Sequence, residues 1–541
     1  MIRRFVEVYG RGVHLRQCGT GPAAIVLHQT PQSSVTMEPL MRLLPEFTVY
    51  APDSPGFGLS EPLEGAQWDT GQLAEALARL LDTLGLERVA LLGQHTGATI
   101  ATEFACRWPG RVTSLAADGY TAFSADEART ILPHQLPRFT HATGGEHLAW
   151  AWSRFRDGWM FFPWSDRRLA RRRSLDLPPP SVIHDWQMME LLRSGEAYRA
   201  VYSGVFAFDG VAAARRLRCP TILGCEAGDQ LYSHLERLRD LPPNVRIARF
   251  ATGDRAALWQ AMADFTRQHG TNASVPVAAE LRPKGWLRTY VRLPDGRHIA
   301  LRRRPGAGAP VVVVHGAGAA GEVELARLDD TVEVIAPDLP GHGDSDPAPG
   351  GYAPEALAAD LAACLDALGL ARIRLRGRGL GAAVAVELVR LRPDLVNSVR
   401  LGEVLALSTD EATLWQDRIV PDVTPRADGT HLLTLWHALR DGEMFWPPFD
   451  TSADAARTVE PALDGEVLAG RFFAALRCRD LQSAFAAWIG WDARKNLEGL
   501  SCPVEIAAVP GDGWARDAGS LATVAGGTLI HARPDGDGLS A

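Results

Sequence analysis

Short apolar runs, each closed by a glycine, proline or polar turn, mark the first 120 residues. Ile25 to Leu27, Val49 to Ala51, Val89 to Leu92 and Val112 to Ala117 are stretches of this kind. Runs of that length without polar alternation predict strands buried on both faces, as in a parallel sheet. Between them, Ala98 to Cys106 carries small and apolar residues at helical spacing. From about Thr121 to Phe208 the strand pattern gives way to helical periodicity rich in aromatics, including Trp150, Trp152, Trp159, Phe161, Trp164 and Trp186. Strand runs resume at Thr221 to Gly224 and Val245 to Phe250, and a helix is predicted from about Ala256 to Arg267.

The tightest transition lies at Leu92-Gly93-Gln94-His95-Thr96-Gly97-Ala98, where a strand must stop, turn and restart as a helix within a few residues. The same frame recurs as Gly377-Arg378-Gly379-Leu380-Gly381, so its two centres, His95 and Gly379, lie 284 residues apart. A second match has that offset: Gly145, His147, Trp152, Arg156-Asp157-Gly158 and Pro163 are answered by Gly429, His431, Trp436, Arg440-Asp441-Gly442 and Pro447. A constant offset across segments of different character indicates that a whole domain was duplicated.

Each half resembles an α/β-hydrolase-fold domain. The resemblance rests on Ile25-Val26-Leu27 running into His28-Gln29-Thr30-Pro31, on Asp53-Ser54-Pro55-Gly56-Phe57-Gly58, and on the elbow frame Gly-Xaa-Xaa-Xaa-Gly at 93–97. The second half repeats it with Val312-Val313-Val314-His315-Gly316, Asp338-Leu339-Pro340-Gly341-His342-Gly343 and the elbow at 377–381. The resemblance implies the α/β class, with two doubly wound, mostly parallel sheets, each under a helical cap. Domain one spans 1–270 with its cap at about 121–208. A linker occupies 271–285, and domain two spans 286–541 with its cap at about 405–488. The second copy reads as clipped, since Ala541 arrives before a counterpart of the 256–267 helix.

A serine hydrolase of this fold carries a nucleophile at the elbow, an acid after a late strand and a histidine after the last strand. Here the elbow holds His95, Asp229 falls in the acid position, and Ala251-Thr252-Gly253-Asp254-Arg255 contains no histidine. A Ser-His-Asp mechanism is therefore excluded. The remaining chemistry is His95 as general base or nucleophile, oriented by Asp229 or Asp118, with the backbone amides of Thr96 and Gln29 facing an oxyanion. His28, Gln94, His147 and Trp152 complete the candidate oxyanion and substrate-binding set; His28 reads first as a brace, and His147, repeated as His431, as structural. The second elbow has no side chain, and Asp512 stands in its acid position. Arg372, Arg374 and Arg376 alternate along its central strand; cations buried there must have carboxylate partners, reach water or bind an anion, and partnered structural arginines are the expectation.

Composition narrows the function further. The chain has 541 residues, 46% of them hydrophobic and 22% charged, and a net charge of −8. That balance predicts a globular protein with two large cores and no basic surface for nucleic acid. Seven cysteines without paired spacing predict neither a disulfide framework nor a zinc site, and no apolar run is long enough for a membrane span. The expectation is a cytoplasmic, cofactor-independent hydrolase or lyase acting on a small carbonyl-containing or aromatic compound, its two domains paired within one chain. The alternative is a pseudoenzyme that binds a small ligand or protein partner.

Overall fold

The computed structural model describes residues 1–135, 137–275, 288–325 and 332–532. Most of the expected linker lies outside the described residues. Contacts divide the chain into two compact units, one of residues 1–140, 150–284 and 425–429, the other of residues 141–149, 285–424 and 430–541. Each unit thus takes a short segment from the opposite half of the sequence.

The first unit holds strands β1 (Ile2–Val8), β2 (Arg11–Cys18), β3 (Ala23–Leu27), β4 (Thr48–Pro52), β5 (Val89–Gln94), β6 (Val112–Asp118), β7 (Thr221–Glu226) and β8 (Val245–Phe250). They form one sheet in the order β1-β2-β4-β3-β5-β6-β7-β8. The β1-β2-β4 edge is antiparallel and the rest parallel. Every residue of β3, β4, β5, β6 and β7 is buried, as uninterrupted apolar runs require. One face is sealed by Leu258, Met262 and Phe265 of the helix Arg255–His269, packed over Ala90, Leu92 and Ala116.

The second unit repeats the plan with β9 (Arg288–Arg292), β10 (His298–Arg304), β11 (Ala307–Val314), β12 (Val332–Pro337), β13 (Ile373–Arg378), β14 (Val396–Gly402), β15 (Val504–Ala508) and β16 (Thr528–His531). Its order, read from the other edge, is the same: β9-β10-β12-β11-β13-β14-β15-β16. In both sheets the chain leaves the third strand for one side and returns to build the other, so the crevice at the carboxyl ends of β3 and β5, or of β11 and β13, is the topological switch point.

On the second sheet Arg374, Arg376 and Arg400 replace Ala90, Leu92 and Ala116. Of the three alternatives, the favoured carboxylate partners are not found for Arg374 or Arg376. Glu505 pairs with Arg400 at 2.6 Å, and among the described residues neither Arg374 nor Arg376 forms an ion pair. Strand register explains this: Arg376 lies opposite Arg400, and Arg400 opposite Glu505, so the carboxylate is one strand too far. Arg374 donates instead to the Ala309 carbonyl, 3.2 Å. Burial, with Arg400 and Arg374 alongside, brings the Arg376 guanidinium down to about 10.

Candidate active site

β5 ends at Gln94, and His95 takes φ 46° and ψ −107° before the helix Thr96–Arg107 begins. A non-glycine residue there costs on the order of 1–2 kcal/mol. The turn is possible because Gly93 and Gly97 lack side chains: a Cβ on Gly97 would run into the Leu27 carbonyl, and one on Gly93 into the Gly97 backbone. Gly379 has the same geometry, φ 54° and ψ −121°, between Gly377 and Gly381, which are confined in the same way.

The imidazole of His95 reaches Asp229, which follows β7. Nε2 lies 2.8 Å from Asp229 Oδ2, with the His95 side chain 14% exposed and that of Asp229 3%. A carboxylate only accepts, so Nε2 carries a proton, and in the neutral ring Nδ1 presents its lone pair. Among the described residues, Nδ1 has no hydrogen-bond partner. Burial would raise the Asp229 carboxyl. The His95 imidazole, its hydrogen bond, the Arg255 guanidinium and the Leu231 amide outweigh burial and hold it well below the usual carboxylate range. Arg255 bridges Glu226 at 3.0 Å and Asp229 at 3.2 Å. The ring lies against Gly119, where a Cβ would collide with His95 Cδ2 and Nε2.

Asp118, the other expected orienter, is corrected. Its carboxylate Oδ2 accepts from Gln94 Nε2 at 3.0 Å and Trp259 Nε1 at 2.9 Å, and only its backbone carbonyl meets His95, accepting the amide at 2.8 Å. Parallel pairing of β5 with β6 sets Gln94 opposite Asp118, so successive side chains diverge and Asp118 anchors Gln94. Gln94 is thereby buried and committed, rather than offered to a substrate.

Thr96 contributes one of the first amides of its helix, which have no partner within the helix. The Gln29 side chain donates to Gln32 Oε1 at 2.8 Å. His28 is a brace: Nδ1 donates to the Gln29 carbonyl at 2.9 Å, Nε2 accepts the Ser54 amide at 2.8 Å, and burial lowers its pKa. His315 does the same with the Gly316 carbonyl and the Leu339 amide.

His147 and Trp152 do not join the site. His147 packs edge-on against Trp436, with ring centroids 4.9 Å apart, and Trp152 is buried, donating Nε1 to the Ala427 carbonyl at 3.1 Å. Trp436 donates likewise to the Thr143 carbonyl, 3.0 Å. The repeat of these residues therefore reports repeated packing.

Sequence reasoning missed Arg255, Trp259, His234 and Gly119. Arg255 closes the segment read only as lacking histidine and opens the helix Arg255–His269; its partners Glu226 and Asp229 lie 29 and 26 residues earlier, so sequence carried no signal for the pairing. His234 accepts the Ala122 amide at 3.0 Å and stands edge-on to Phe123, which stacks on Phe206 at 4.4 Å. In the second unit Asp512 faces Arg457, at 2.8 Å, and caps the turn at Trp514. Among the described residues no group of histidine, cysteine or acidic side chains has metal-binding geometry, and no helix is long and apolar enough to cross a membrane.

The family described as alpha/beta hydrolase fold matches in two segments, residues 22–150 and 309–431. An uncharacterized hydrolase of Saccharomyces cerevisiae is 32% identical over 129 residues, 23% of this chain and 44% of the relative. A 2-(acetamidomethylene)succinate hydrolase of Mesorhizobium japonicum is 32% identical over 132 residues, covering 24% of this chain and 47% of the relative. The chain thus spans less than half the length of these curated relatives. A solved hydrolase from Pseudomonas aeruginosa is 25% identical with a TM-score of 0.34, over 45% of this chain and 89% of that one. Two sheets of one topology, two elbows of one geometry and two matched segments lead to a single assignment: the chain is a tandem α/β-hydrolase-fold protein.

Proposed function

We propose that the first unit is a cofactor-independent hydrolase or lyase for small carbonyl compounds, with His95 as general base and Asp229 as its orienting acid. The observation that carries this reading is the 2.8 Å contact between Nε2 and Asp229 at a strained elbow, which directs Nδ1 away from the carboxylate. In the hydrolytic form, Nδ1 takes a proton from water as the water oxygen attacks the carbonyl carbon. The imidazolium that forms is stabilised by Asp229, and the Thr96 and Gln29 amides receive the oxyanion. Proton return from Nδ1 to the leaving group completes the cycle. The hydrolase relatives support the reaction class, and Phe123, which stands against His234 and stacks with Phe162 and Phe206, supports an apolar or aromatic substrate. All seven cysteines are free thiols, which accords with a reducing, cytoplasmic setting.

The test is a panel of small esters, lactones and β-carbonyl acids. Turnover by the full chain is expected to fall about 10²-fold or more in both His95→Ala and Asp229→Asn. Activity surviving both substitutions moves the chemistry away from the elbow. A second reading, a ligand-binding pseudoenzyme, is favoured by one observation: Arg255 fills the base loop and engages Asp229. Ligand-dependent stabilisation without turnover supports it.

A further inference from the structure

The second unit has lost its elbow side chain and kept a cavity. About 260 Å³ of space opens above Gly379, between the loop Gly316–Ala319 and the aromatic rings of Phe485, Trp488 and Trp514. Trp488 and Trp514 stack at 5.7 Å, and a Cβ on Gly379 would come 3.4 Å from the Trp488 ring, so the glycine preserves the floor.

The polar end of this cavity has no counterpart in the first unit. There the elbow carries the side chain and the following strand is succeeded by Gly119. Here the elbow is Gly379 and the following strand is succeeded by Glu403, a non-glycine residue held at φ 54°. Strain of this kind persists only where surrounding contacts impose it. Glu403 is imposed by Arg378, which occupies the Gln94 position and ion-pairs with it. Arg378 Nη1 also lies 3.9 Å from Glu324, and Arg471 pairs with Glu443 on the wall. Two lining guanidiniums thus face three carboxyl groups, and burial raises that of Glu324 toward its neutral form, so neither an anion nor a cation is strongly favoured. Guanidinium has five N–H groups and a carboxylate about four acceptor positions, so the Arg378–Glu403 pair retains both a donor and an acceptor for a ligand.

We propose that this cavity is a binding site for a small uncharged phenol. Its hydroxyl donates to Glu403 and accepts from Arg378, and its ring lies against Trp488 and Trp514. The volume falls below the usual range for drug-sized ligands, which selects one or two rings. The site is independent of His95 and needs no reaction.

Calorimetric titration of the full chain near neutral pH with phenol, benzoate and benzylamine tests this. Phenol binding is expected in the wild type and in His95→Ala, and about tenfold or more weaker in Glu403→Gly. That variant removes the acceptor and relieves the positive φ, so it is expected to fold. Gly379→Leu, which fills the floor, is expected to abolish binding. The proposal is overturned by no phenol binding at about 10 mM, by affinity within about twofold of wild type in Glu403→Gly, or by benzoate or benzylamine binding as tightly as phenol.

Discussion

One buried histidine beside the candidate site has a pH signature of its own. Burial first, and the Arg237 charge second, bring His234 down to about 4 from its ordinary 6.5. The folded state therefore refuses a proton that the unfolded chain accepts, so the contribution to stability is complete above pH 6.5, declines between pH 6.5 and 4, and is flat below. Its size is on the order of 3 kcal/mol. His147, also down to about 4 through burial and then His141, adds a loss in the same interval. His234→Asn keeps an acceptor for the Ala122 amide and removes the titration. The fall in Tm between pH 6.5 and 4 is expected to be smaller in that variant, and an unchanged slope refutes the assignment. The candidate pair His95 and Asp229 was legible in sequence because the fold fixes both positions on strand ends. Asp118 was not, because its partners are decided by an opposite strand and by Trp259, 141 residues away.

The strands and elbows were readable because their residue choices follow from local constraint. A strand buried on both faces favours apolar residues, and the elbow position pressed against β3 takes only glycine. Gly97→Ala and Gly381→Ala thrust a methyl group into the carbonyls of Leu27 and Val314, neither of which can retreat without breaking its sheet. Each is expected to cost about 2–4 kcal/mol, read as a lowered midpoint in denaturant unfolding. Gly110→Ala, which meets open space, serves as the control. The caps were less readable. Their tryptophans look alike in sequence, yet Trp152 is committed to Ala427 and Trp488 to a cavity, a distinction set by residues far along the chain. The arginines of β13 were legible as an anomaly, but register with β14 and β15 gave the Glu505 carboxylate to Arg400 on the neighbouring strand.

At the scale of the molecule, duplication was visible in the 284-residue offset, whereas the short exchanged segments were not. Residues 425–429 belong to the first unit, where Gly429 packs so closely on the Trp152 ring that a Cβ would collide with it. A chain cut after residue 275 removes that cover, exposing an indole and leaving its N–H without the Ala427 carbonyl. Such a fragment is expected to unfold at a lower temperature than the corresponding transition of the full chain and to bind more hydrophobic dye. A fragment as stable as the intact chain shows the exchange to be dispensable.

The opposed placement of side chain and glycine at the two elbows limits how one copy can become the other. An imidazole in the pose of His95 excludes any β-carbon at the neighbouring strand end, so installing histidine at 379 requires Glu403 to be vacated first. The reverse route must empty position 95 before position 119 can be filled. Either passage goes through a form bearing glycine at both places, a hollow with no reactive group, and the two copies are separated by that barren intermediate.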